Sequence, residues 1–294
     1  MDTLLLSNGM NLPVLGMGTF DIKEENMPRA IETATAAGIR LFDMAPNYKV
    51  DGSLGQALKQ TGLRREEIII VEKVDTRDQL KPIRIALEAC LARLGTDYID
   101  LYLIHWPFPG RYVNTWLQME QLRSEEMVKS IGVCNFLPHH LAHLINNSTT
   151  VPVVNQIELH PLFTQRNTVE YCRKKDIAVM AYTPLGRMNP ALISNPLLES
   201  LAGKYGKTVP QIILRWHIQS GFIVIPKSES PVRIQQNANV FDFCLSSADM
   251  AAINALNCDM RFRFDPEHLS RYPLSLPYRF WLRARSWAGK RLQA

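Results

Sequence analysis

The chain has 294 residues, 46% of them hydrophobic, enough to bury a large core as one or two domains. No stretch approaches the roughly 18 consecutive apolar residues of a membrane span, and the N-terminal MDTLLLSNGMNLP has an early acid and too short an apolar run for a secretory signal. The formal charge of +5 is local. Five of the 33 Lys and Arg lie in 273–294, which holds no acid, and the other 28 balance the 28 Asp and Glu, so a nucleic-acid-binding surface is not indicated. The cysteines (Cys90, Cys134, Cys172, Cys244 and Cys258) are odd in number and lack a C-x-x-C pair, which argues against a disulfide framework or zinc site and for a reducing cytoplasm.

In chain order, TLLL, SNGMN and LPVLG predict an N-terminal hairpin. Short apolar strands then follow at Val14–Met17, Ile39–Asp43, Ile68–Val74, Ile99–Ile104, Ser130–Val133, Val153–Ile157, Ala178–Tyr182 and Phe222–Ile225. Amphipathic patterns such as MPRAIETATAAG, QLKPIRIALEACLARLG and RNTVEYCRKKD separate them and predict crossover helices. Eight such units in under 300 residues fit an α/β fold, a single-domain (β/α)8 or TIM barrel, better than an open sheet. The hairpin would cap the barrel bottom. No linker, repeat or low-complexity tract divides the chain, which reads as a barrel over 1–258 with a C-terminal loop and basic aromatic tail over 259–294.

Three of these strands end in groups able to do chemistry: Asp43, Lys73 and His105, with Tyr48 five positions after Asp43. Burying such groups costs stability unless they are paired, and the C-terminal ends of barrel strands form the catalytic face. A structural ion pair with a satisfied histidine would explain any one of them, but hardly all four together.

At these residues the chain resembles the aldo-keto reductases. LPVLGMGTF, FDMAPNY, VEKV, LYLIHWP, IGVCNF, NQIELHP, AYTPLG and IPKSESPVRIQQN stand in that family's order between about Leu4 and Leu256. The resemblance implies reduction of aldehydes or ketones to alcohols with NADPH and no metal. It implies Tyr48 as general acid, Lys73 as the cation that favours its phenolate, Asp43 as the anchor of Lys73, and His105 as the group that orients the carbonyl. It also implies a cofactor site on the same face, with Thr19, Phe20 and Asp43 beside the nicotinamide. Cys134, Asn135 and Gln156 would meet its carboxamide, and Tyr182 would stack under the ring. Thr183, Leu185 and Gly186 would flank the pyrophosphate. Lys227, Ser228, Ser230 and Arg233 would take the 2′-phosphate, with Gln236 and Asn237 near the adenine.

The last group has a physical basis of its own, because cations and hydroxyls ahead of a helix start suit a phosphate dianion, although a solvated basic loop reads the same way. No G-x-G-x-x-G follows any strand, so a Rossmann site is not supported. The chain departs from the family at Cys134, commonly serine, at Lys49–Asp51, where Y-x-N-E is frequent, and at VDTRDQ after Lys73, where many relatives carry tryptophan.

Phe20, Tyr48, His105 and Trp106 would form the substrate site, the aromatic pair being either a wall for apolar carbonyls or ordinary rim packing. RFRFDPEHLSRYP would fold over the mouth. The tail mixes Tyr278, Phe280, Trp281 and Trp287 with five cations, a pattern that suits a membrane-surface or partner-binding helix, and also a segment packed on its own barrel as part of the same domain, or a partly disordered one. The expected partner is a small carbonyl compound, with no membrane span, in a monomer or dimer. The alternative function is a regulatory protein that uses the same fold as a redox sensor.

Overall fold

A computed structural model of the protein describes residues 2–271, and the basic aromatic tail lies outside them. Strands β1 (Thr3–Leu5) and β2 (Asn11–Pro13) pair antiparallel as the expected hairpin. Eight strands follow: β3 (Met17–Gly18), β4 (Leu41–Asp43), β5 (Ile69–Val74), β6 (Ile99–Ile104), β7 (Val128–Cys134), β8 (Val154–Glu158), β9 (Ala178–Tyr182) and β10 (Ile223–Val224). Each pairs in parallel with the next. Bridges from Leu15 to Val224 and from Gly18 to Lys227 join the first strand to the last and close the barrel.

The seam strands β3 and β10 are shorter than the apolar runs predicted. Pairing there passes through single bridges, with the Gly16 N–H donating to the Val224 carbonyl and the Val224 N–H to that of Val14. Gly16 sits where a Cβ would come within 2.1 Å of the Leu41 side chain, so any larger residue at this position of the seam would force buried Leu41 to move.

The outer helices bury one stripe each. In α1 (Met27–Ala36), Met27, Ala30, Ile31 and Ala34 recur at helical spacing and are fully buried. The two-residue period of the strands sorts their side chains. Phe42, Ile70, Tyr102, Ile104, Val133 and Ile157 face the helices. Leu41, Val71, Leu101, Leu103, Val154, Met180 and Ile223 fill the barrel interior together with Leu6 and Leu12 of the hairpin. The hairpin therefore plugs the bottom, held also by Asn8 Nδ2, which donates to Ser130 Oγ at 2.8 Å. With one end plugged, access to the interior is from the other end, where the strands finish.

Candidate active site

The same alternation aims the chemical groups. Asp43 lies two residues beyond Leu41, Lys73 two beyond Val71, His105 two beyond Leu103 and Tyr182 two beyond Met180, so all face inward at the top of the barrel. Lys73 Nζ donates to Asp43 Oδ1 at 2.7 Å and to the Met44 carbonyl at 2.8 Å. Gln156 Nε2, arriving from β8 on the far side, donates to the same Asp43 oxygen at 2.6 Å. Both Asp43 and Lys73 are buried, and the paired, hydrogen-bonded arrangement is what offsets the cost of desolvating two charges.

Tyr48 comes from a single 3-10 turn, Pro46–Tyr48, that ends with Lys49 in the left-handed region at φ 57°. This brings its ring to 5.5 Å from Lys73 Nζ, with the edge of Phe20 at 5.0 Å and the His105 ring at 6.5 Å. The four residues expected to act together therefore converge. Burial first, and then the Asp43 charge, push the phenol well above its ordinary pKa, while Arg263 pulls it down. Burial, then Lys73 and Arg263, hold His105 well below the usual histidine value, so near neutral pH the site presents a protonated phenol and a neutral imidazole.

The residues expected around the nicotinamide form one network. Asn135, in the left-handed region at φ 65°, donates from Nδ2 to the His105 carbonyl at 3.0 Å and accepts the Tyr182 hydroxyl at 2.6 Å. The Cys134 thiol donates weakly to Gln156 Oε1 at 3.5 Å. Thr19 joins the network through Asp43, whose carbonyl accepts both the Thr19 N–H and its hydroxyl.

Beyond Tyr182 the chain turns through Thr183 and Gly186, both at positive φ, and leads into Leu185 and Arg187 at the rim. Lys227 and Arg233 are exposed and flank the start of the eight-residue helix Pro231–Ala238, where Ser228 Oγ accepts the Ser230 N–H. Gln236 is exposed on that helix and Asn237 is buried. Lys227 also lies 3.4 Å from Glu229, whose other oxygen accepts Asn26 Nδ2. Cations, hydroxyls and a helix N-terminus thus share this rim, a donor set suited to a phosphate dianion.

Sequence reasoning missed the C-terminal latch. Glu158, at the end of β8 and fully buried, accepts the backbone N–H groups of Phe262 and Arg263 at 2.7 and 3.0 Å, and His160 Nε2 lies 3.2 Å away. The latch draws the RFRF segment over the mouth, where Phe264 packs on Trp106 at 6.0 Å and the Arg263 guanidinium lies 5.7 Å from the centre of the Phe20 ring. A signal was present in NQIELHP, because an acid two residues after inward Gln156 must itself face inward. The loop that replaces the frequent tryptophan also braces the mouth, since buried Gln79 donates from Nε2 to the Trp106 carbonyl at 2.9 Å.

All five cysteines are free. Among the described residues no group of three His, Cys, Asp or Glu could hold a metal, and no helix is long and apolar enough to cross a membrane.

Residues 14–258 match the model of the Aldo/keto reductase family. The chain is 42% identical over 272 residues to a glyoxal reductase of Bacillus subtilis, covering 91% of this chain and 97% of that protein. It is 42% identical over 264 residues to a methylglyoxal reductase of Escherichia coli O157:H7, covering 89% and 96%. A crystal structure of a Bombyx mori aldo-keto reductase in complex with NADP superimposes with a TM-score of 0.85 at 35% identity, covering 92% of this chain and 97% of that one. The chain belongs to the aldo/keto reductase family. It is an oxidoreductase acting on carbonyl groups, and the comparisons lend no support to the regulatory alternative.

Proposed function

We propose that the protein reduces small aldehydes and ketones to alcohols with NADPH, using Tyr48 as the proton donor. The observation that carries this reading is the buried Lys73–Asp43 pair beneath the Tyr48 ring. When bound, the dinucleotide supplies the hydride. Everything else falls to side chains of the chain itself. His105, kept neutral, donates a hydrogen bond to the carbonyl oxygen and holds it beside the Tyr48 hydroxyl. The high pKa of Tyr48 keeps its proton in place until negative charge develops on that oxygen. Lys73, fixed by Asp43 and the Met44 carbonyl, lies close enough to stabilise the phenolate left behind.

The network of Asn135, Gln156 and Cys134 has the donors and acceptors of a carboxamide site, with Tyr182 as its aromatic floor. Gly186, at φ 55°, lets Leu192 and Phe262 pack on this turn, since a Cβ there would meet both at 2.9 Å, and with Thr183 and Leu185 it would flank the pyrophosphate. Lys227, Ser228, Ser230 and Arg233 favour the 2′-phosphorylated cofactor, with Gln236 and Asn237 placed for the adenine. Phe20 and Trp106 form the walls between which the substrate sits, and the activities of the glyoxal and methylglyoxal reductases among the relatives support small carbonyls. The free thiols fit a reducing cytoplasm.

The test is absorbance at 340 nm with methylglyoxal, glyoxal and benzaldehyde, each with NADPH and with NADH. The reading predicts consumption of NADPH in preference to NADH. No oxidation of either cofactor across the three substrates would overturn it.

A further inference from the structure

Past Tyr182 the chain forms a strap, residues 183–189, in which Thr183, Gly186, Arg187 and Met188 all take left-handed backbone, at φ 53°, 55°, 56° and 59°. Three of the four carry side chains that disfavour this region, and such backbone persists where its surroundings hold it. Within the strap, the N–H groups of Gly186, Met188 and Asn189 donate to the carbonyls of Thr183, Leu185 and Gly186. From outside, it is held by packing on Gly186. A Cβ there would lie 2.9 Å from both Leu192 Cδ2 and Phe262 Cε2, so both side chains rest directly on the strap backbone.

Phe262 is itself fixed on two sides. Its ring centre lies 4.8 Å from that of buried His160. Its N–H donates to Glu158 Oε1 at 2.7 Å, and the next N–H, of Arg263, donates to Oε2 at 3.0 Å. Glu158 is fully buried at the end of β8 and in register with Tyr182, the residue before the strap. The carboxylate, Phe262 and Gly186 thus make one line of contact from a barrel strand to the strap.

We infer that Glu158 is a positioning residue that slows cofactor release by holding Phe262 against the strap at Gly186. The inference rests on the reading that Thr183, Leu185 and Gly186 flank the dinucleotide pyrophosphate, and it adds what keeps them in place.

The chemistry of the latch calls for a carboxylate. Two main-chain donors converge on the group, and each takes a separate oxygen. An amide offers a single acceptor, and its NH2 would face the second N–H. Hydrogen bonds to a charged acceptor are the strong ones, and burial removes water as a competitor. The dinucleotide leaves when the strap gives way, a local opening that must break the Phe262 contact. Left-handed residues with side chains relax readily once that support is gone.

The test compares the full-length wild type with E158Q, E158D, F262A and the double variant E158Q/F262A. Hydrogen exchange of the cofactor-free protein follows the 183–189 amides, and stopped-flow fluorescence follows the release of bound NADPH. E158Q should speed both by about tenfold, the lower end for one hydrogen bond to a charged acceptor. E158D keeps two acceptor oxygens and should fall between E158Q and wild type. F262A should resemble E158Q, and the double variant should be no faster than either, because both cut the same line of contact. Single-turnover oxidation of pre-bound NADPH by an aldehyde should change less than release does.

Exchange unmoved by E158Q would overturn the link between carboxylate and strap. Faster exchange with unchanged release would overturn the strap's hold on the cofactor, and equal changes in release and single-turnover rate would overturn the positioning role. Each of these leaves Tyr48 as proton donor intact. Absence of NADPH binding by the wild type would instead sink the proposed function, and this inference with it.

Discussion

Lys73 Nζ stands 2.7 Å from Asp43 Oδ1 with both side chains withdrawn from water. The register of the barrel sets this relationship. Asp43 on β4 pairs with Val71 on β5, so Lys73 lies one inward step further up its strand and reaches back to the acid and to the Met44 carbonyl. Gln156 completes the hydrogen bonding from across the barrel. A geometry this determined places a cation beneath Tyr48 without leaving its charge uncompensated.

Removing one partner should therefore be worse than losing an attraction. Lys73→Met strands the Asp43 carboxylate in the barrel, and breaking buried pairs costs about 3–5 kcal/mol. Urea unfolding should show a loss of that order, with a smaller one in the double variant Lys73→Met/Asp43→Asn, where no uncompensated charge remains. Equal stability of the single variant and wild type would contradict the account.

The depressed pKa of His105 predicts its own absence from the pH profile. Because burial disfavours the imidazolium, the ring stays neutral on passing below the ordinary histidine value, and activity should show no acid limb near 6.5. The same sign costs stability in acid, since only the unfolded chain takes up that proton there. A limb near 6.5 in kcat/KM that disappears in His105→Gln would show that the ring titrates normally.

Glu72 offers a second titration, away from the chemistry. It faces outward from β5, is 1% exposed, accepts the Lys73 N–H at one oxygen and has no hydrogen-bond partner for the other among the described residues. Burial, opposed by the Lys73 N–H and charge, raises its pKa to about 8. The folded state holds this proton more tightly than the unfolded chain does. The resulting stability is complete below the ordinary glutamate range and is lost as pH rises towards 8, at up to about 1.4 kcal/mol per pH unit. Glu72→Gln cannot ionise, so its advantage over wild type in urea should grow between pH 5 and pH 8. A constant difference would remove Glu72 as the source.

At the rim, Lys227→Ala should weaken NADPH binding by about tenfold or more, the worth of one charge-assisted contact, while NADH binding changes little. Fluorescence titration measures both. Equal weakening of the two would place Lys227 elsewhere on the dinucleotide.

Much of this arrangement was legible in the sequence because two-residue alternation decides which side chains face inward. Ile99–Ile104 and Ala178–Tyr182 are strands with the predicted bounds, and Asp43, Lys73 and His105 stand at strand exits as expected. The seam was harder, because closure there is carried by single bridges around Gly16 rather than by ladders that a run of apolar residues announces.

The latch was legible at one end only. Alternation turns Glu158 inward, but Arg263 lies 105 positions away, and nothing local says that a strand-end acid will bind the main chain of a distant loop. Asn135 and Gln156, proposed for the cofactor, are singled out by resemblance rather than by local pattern, since their hydrogen bonds to the His105 carbonyl and to Asp43 join strands brought together only by the closed barrel.

The central claim is that Tyr48 supplies the proton, and Tyr48→Phe tests it most directly because the ring and its packing against Phe20 remain. The measurement is single-turnover oxidation of enzyme-bound NADPH by an aldehyde, followed at 340 nm, alongside a titration of NADPH affinity. The account predicts a rate lower by about 10²–10⁴-fold with affinity essentially preserved. Oxidation at a near wild-type rate would contradict it.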